Sequence, residues 1–141
     1  MRYLNLGCGA HFSPNEIWTN LDFSSNNPRV IAHNLLAGIP FGNDSFNFVY
    51  HSHVLEHFSK EDGIKLIREC FKVLKPGGVL RVAIPDLEQI ATKYLTFLRE
   101  GLEKPDEPLV RANYDWMLLE MYDQTVRNNV GGNMAKYIYQ D

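Results

Sequence analysis

Cysteine is scarce in this sequence of 141 residues, limited to Cys8 and Cys70, whose spacing is not that of a metal site. No stretch approaches the roughly 20 consecutive apolar residues that a membrane span needs, so no membrane partner is expected. The opening lacks a charged start followed by an apolar run, the mark of a secretory signal. Two thiols and no export signal together lead us to expect a reducing, cytoplasmic setting. Dense Lys/Arg stripes are missing and the net charge is -3, which argues against nucleic acid as a partner. Repeats and low-complexity tracts are also absent. What remains, 45% apolar and 22% charged, is the composition of an ordinary globular domain.

The chain is organised around Tyr3-Leu4-Asn5-Leu6-Gly7-Cys8-Gly9-Ala10. Leu4 and Leu6 suit a buried strand, and Gly7 and Gly9 allow a tight turn with no Cβ to obstruct a ligand. Such a turn, at the carboxyl end of a first α/β strand, is where nucleotide-like ligands bind. Ile17 to Asp22 reads as a second strand ending in a carboxylate. Asp22 lies 13 residues after Gly9, and an acid placed there can accept hydrogen bonds from two adjacent ribose hydroxyls. The connection between these strands has room for one helical turn at most, whereas a parallel crossover usually holds a helix.

Val30 to Leu35 reads as a third strand with a polar end, and Phe46 to Tyr50 as a fourth, ending at His51-Ser52-His53. Ser59 caps a helix whose Ile64, Ile67, Phe71 and Leu74 recur at helical spacing, so those residues are expected to face the core. Lys75-Pro76-Gly77-Gly78 stops that helix and turns the chain into a fifth strand, Val79 to Ile84. Asp86 caps the next helix and Gly101 is its expected stop. A final helix is expected from about Leu109 to Asn128, broken by Gly131-Gly132, with Met117 and Met121 suited to a core stripe or to a homodimer interface. The expected organisation is therefore one α/β domain over 1–141, with a core at 1–101 and a helical segment at 102–141.

Taken in order, LNLGCG, NLD, IPF, HVLEH, VLKPGG and IPD resemble a class I S-adenosylmethionine-dependent methyltransferase of the type 11 group, over Tyr3 to about Asp86. The resemblance implies a Rossmann-like, mostly parallel sheet, here with shortened early helices. It implies S-adenosylmethionine as cofactor. Gly7, Cys8 and Gly9 would lie along its methionine and ribose, Asp22 on the ribose hydroxyls, and Asn34 and Leu35 beside the adenine. His51 would lie near the methionyl end and His53 near the substrate entrance. Asn5 and Asn34 stand where the family usually has acids; both keep an oxygen that accepts a hydrogen bond but lose the charge. Family members usually add two strands after the fifth, and here that sheet edge is expected to be incomplete, through truncation or completion by a partner.

Methyl transfer from a sulfonium needs alignment above all, worth roughly 7–11 kcal/mol in favourable cases. A base helps when the acceptor must lose a proton, and His53 is the first candidate, then His51. Glu56 and His57 are expected to fix the loop. The expected acceptor is a small molecule or a carbohydrate. Three other readings are open. His53-Val54-Leu55-Glu56-His57 also fits H-x-x-E-H, a zinc motif, with Glu120 as third ligand. A dinucleotide site would need glycine where Phe12 stands. A non-catalytic domain could keep the fold and the cofactor without turnover.

Overall fold

The computed structural model describes residues 1–123 of the chain. The chain divides into two compact units. The first, Met1–Ile84, carries five strands: β1 (Tyr3–Leu6), β2 (Trp18–Asp22), β3 (Val30–Ala32), β4 (Phe46–Ser52) and β5 (Leu74–Ala83). They form one wholly parallel sheet in the order β3-β2-β1-β4-β5. The order reverses between β1 and β4, and in open α/β sheets ligands bind at the carboxyl ends of the strands beside such a switch point.

One helix of the first unit, α1 (Lys60–Val73), runs between β4 and β5. Ser59 caps it as expected, its hydroxyl accepting from the Asp62 N–H at 3.2 Å. The connections 7–17 and 23–29 contain no helix, so the early helices are not merely short but missing. The amide of Asn20, 2% exposed, does their structural work. Its oxygen accepts from the Ser13 N–H (3.1 Å) and the Asn5 side chain (3.4 Å). Its nitrogen donates to the carbonyls of Ser13 (2.9 Å) and Arg29 (3.5 Å), so one buried side chain holds both connections.

Strand alternation divides the sheet into two faces. Leu4, Leu6, Leu21 and Val49 share the buried face with Leu66, Cys70 and Val73 of α1. On the other face Tyr3 stands opposite both Trp18 and Phe48, and the three rings meet edge to face at 5.2–5.8 Å. Such pairs add about 0.5–1.5 kcal/mol each beyond their burial.

Three details depart from expectation. The face of α1 that meets the core is Gly63, Leu66, Cys70 and Val73, whereas Ile64 is half exposed and Phe71 is 80% exposed. The helix carries two apolar stripes, and periodicity alone does not say which one the sheet selects. Pairing of β5 with β4 begins at Leu74, opposite Phe46, and resumes at Val79, opposite Phe48. Lys75 to Gly78 is thus a bulge within the strand, with Gly77 at φ +76°, and not a turn before it. The third strand stops at Ala32, and Asn34 instead caps a 3-10 turn, Leu35–Ala37.

The second unit holds α2 (Leu87–Glu103) and α3 (Pro108–Asp123). The Asp86 carboxylate caps α2 by accepting from the Gln89 N–H at 3.0 Å. Gly101 does not stop α2, which runs two residues further and closes at Lys104, so the expected division after residue 101 falls inside a helix. Ile90, Val110 and Met117 are buried, while Trp116, Leu119 and Tyr122 stay exposed. The expected end of the last helix and the Gly131-Gly132 break lie outside the described residues. Among the described residues no helix is long and apolar enough to cross a membrane.

The two stripes of α1 are separable by mutation. Leu66→Ala should cost about 2–5 kcal/mol, because it opens a cavity under the sheet. Phe71→Ala should cost about 0.5 kcal/mol or less. Urea denaturation of both variants checks the assignment.

Candidate cofactor site

A cleft opens where the carboxyl ends of β1 to β4 converge. Its walls are Gly7 after β1, Asp22 and Phe23 at the end of β2, and His33, Asn34 and Leu35 after β3. His53, Val54, His57 and Phe58 after β4 complete it. Backbone bonds lash these ends together. The Cys8 N–H donates to the Leu21 carbonyl (3.1 Å), the His33 N–H to the Asp22 carbonyl (2.7 Å) and the His53 N–H to the Ala83 carbonyl (3.1 Å).

The glycine turn has a positive φ at both glycines, +60° at Gly7 and +52° at Gly9. At Gly7 an added Cβ would also strike the Val54 side chain, so this position requires glycine twice over. At Gly9 a Cβ would meet nothing within 4 Å, so the backbone there borders open space. The Asp22 carboxylate closes the turn by accepting from the Gly9 N–H at 2.6 Å. A carboxylate offers about four acceptor positions, so Asp22 can hold Gly9 and still receive hydroxyls.

The remaining expected residues fall into two groups. Asn34 and Leu35 line the cleft, with the Asn34 side-chain oxygen accepting from the Leu36 N–H at 3.0 Å. Asn5, Cys8 and His51 are buried and do not line it. Asn5 is spent on Asn20. The Cys8 thiol, pushed up to about 11 by burial and by the Asp22 charge, stays protonated at neutral pH. His51 lies fully buried on the face of β4 shared with Val49, and neither ring nitrogen has a hydrogen-bond partner among the described residues. His53 does line the cleft, and its backbone sits in the left-handed region at φ +53°.

Phe23, His33 and Phe58 are wall residues that the motifs did not single out, and Val54 is one that sits inside HVLEH with no role assigned to it. Their signal is positional: each stands directly after a strand or in the loop that follows one. His33 is held by a 2.8 Å contact between Nε2 and the Gly38 carbonyl. The zinc reading finds no support. His53 precedes the 3-10 turn Leu55–His57 and is not on a helix, and the described residues bring no three His, Cys, Asp or Glu side chains together.

A methyltransferase domain model matches residues 4–82, more than half of the chain. The chain belongs to this methyltransferase domain family, the type 11 group. It is 42% identical over 60 residues to a probable S-adenosylmethionine-dependent methyltransferase of Mycolicibacterium smegmatis, covering 42% of this chain and 23% of that protein. It is 30% identical over 86 residues to phosphoethanolamine N-methyltransferase of Plasmodium falciparum, covering 57% of this chain and 32% of that protein. The chain thus spans about a quarter to a third of the length of the curated relatives it matches.

Membership carries the cofactor of the class with it, S-adenosylmethionine. The cleft of this methyltransferase domain fits that molecule chemically. Asp22 offers acceptors for a ribose diol, and Phe23, Leu35 and Phe58 offer apolar walls for a purine; Gly9, held by Asp22 outside the lining, leaves bare backbone beside open space. The missing helix after β1 is no obstacle, since the molecule has no phosphate to place on a helix N-terminus.

His51 supplies a pH signature for this rim of the sheet. Burial lowers its pKa from the ordinary 6.5, so the folded state keeps it neutral while the unfolded state takes up a proton. Its share of stability is therefore full above about pH 6.5 and is lost as pH falls from there toward the folded pKa. Urea titrations between pH 7.5 and 5 should show this loss, and His51→Leu should flatten it.

Proposed function

We propose that this domain is an S-adenosylmethionine-dependent methyltransferase whose acceptor is a small molecule or a carbohydrate. The observation that carries the reading is the convergence of Gly7, Asp22 and His53 on one cleft at the switch point of the sheet, with the Asp22 carboxylate also holding the Gly9 N–H. When bound, the cofactor supplies a methyl group already activated by a positively charged sulfur. The work left to the chain is to bind, to orient and to exclude water, and each task has its residues. Asp22 and the glycine turn bind, Asn34 and the apolar walls orient, and His53 at the rim can take a proton from an acceptor.

The acceptor class rests on likeness and charge. One relative is named for a small phosphorylated amine, and the net charge of -3 does not favour a polyanion. The neutral Asn5 no longer favours a non-catalytic domain, because that residue is part of the structural node around Asn20. The other neutral residue, Asn34, keeps the non-catalytic reading as the second one.

Transfer of radiolabelled methyl groups to panels of small amines, hydroxylated metabolites and carbohydrates tests the reading. At least one panel member should accelerate formation of S-adenosylhomocysteine tenfold or more over the protein alone. Saturable cofactor binding with no acceptor labelled in any panel would instead favour the non-catalytic domain.

A further inference from the structure

The cleft has a carboxylate behind its rim that binding does not account for. The Glu56 side chain is only 6% exposed, and neither of its oxygens has a hydrogen-bond partner among the described residues. Burying an unpaired carboxylate is costly, and such a group in a native fold calls for an explanation. Among the described residues, the one cation-capable group within ion-pair distance of it is His53, with Nδ1 at 3.4 Å from Oε1. His53 itself carries a second cost, since a side-chain-bearing residue at φ +53° lies in the left-handed region and is strained. The strained backbone holds the ring beside the buried carboxylate while the His53 side chain stays 63% exposed at the cleft.

We propose that Glu56 is a positioning residue that fixes His53 with its proton on Nδ1, leaving Nε2 as the base facing the acceptor. This rests on the methyl transfer reading above and deepens it. The acceptor is then one whose reacting atom must shed a proton, a hydroxyl or a neutral amine. As the acceptor's lone pair forms the bond to the methyl carbon, the sulfur keeps the electron pair of the broken bond and the acceptor's proton passes to Nε2 of His53. A carboxylate behind Nδ1 both selects the tautomer and stabilises the charged ring that results. The neighbouring His57 also lines the cleft, and its backbone N–H donates to the Val54 carbonyl at 3.2 Å, tightening the turn that carries Glu56.

Ring ¹⁵N NMR of the full chain tests this, with His53 assigned through His53→Asn. In wild type the neutral His53 ring should be mainly the Nδ1–H tautomer, against the intrinsic preference of the side chain for Nε2–H. Glu56→Gln, which keeps an acceptor oxygen, should retain that tautomer. Glu56→Leu should revert it to Nε2–H. A purely structural Glu56 would lower the melting temperature in Glu56→Leu with the tautomer unmoved. That result, or a wild-type ring already in the Nε2–H form, would overturn the proposal. Calorimetry with S-adenosylmethionine on the same samples separates the two levels. Affinity within about threefold of wild type in Glu56→Leu is expected. A folded wild type that binds no cofactor contradicts the methyl transfer reading itself, whatever the tautomer.

Discussion

The first unit depends on the side-chain amide of Asn20. Two parallel crossovers have been made without the helices that normally fill them, and the backbone of both would be left loose over the sheet. Asn20 uses both ends of its amide to hold the two of them, and Asn5 completes the set. Each of these bonds contributes on the order of 1 kcal/mol net, but leaving the buried groups unpaired would cost about 1–3 kcal/mol apiece. The node also sets the height of the rim. With β1 and β2 in register and their loops fixed, Gly9 reaches the Asp22 carboxylate, and the cleft acquires its floor.

Two residues at the same rim carry costs that packing does not repay: His53 sits in a strained conformation, and Glu56 is buried without a hydrogen bond. Strain and unsatisfied charge tend to gather where a protein binds or reacts. Here they gather beside one cleft, on the loop that follows β4, which with β1 flanks the switch point. His51 is a cost of another kind, a buried ring kept neutral by desolvation just behind that rim.

Much of this was legible in the sequence because it is local. The glycine turn, the carboxylate ending β2, the cap at Ser59 and the cap at Asp86 follow from residue type and spacing, and all stand where expected. What was not legible depends on partners distant in sequence. Ile64 and Phe71 share a period with Leu66 and Cys70, and only the sheet decides between the stripes. Lys75-Pro76-Gly77-Gly78 reads as a turn until Leu74 is seen paired with Phe46. Asn5 reads as a weakened cofactor contact until Asn20 is seen beside it. The burial of Glu56 leaves no trace in its own sequence neighbourhood.

The cleft lined by Gly7 and Asp22 is the site we assign to S-adenosylmethionine. Calorimetric titration with S-adenosylmethionine and S-adenosylhomocysteine, on wild type and Asp22→Ala, decides whether that assignment stands. Binding near the micromolar range is expected in wild type, weakened at least tenfold in the variant, a difference of about 1.4 kcal/mol. A wild type that is folded and binds neither ligand would contradict it. So would a folded Asp22→Ala variant with undiminished affinity.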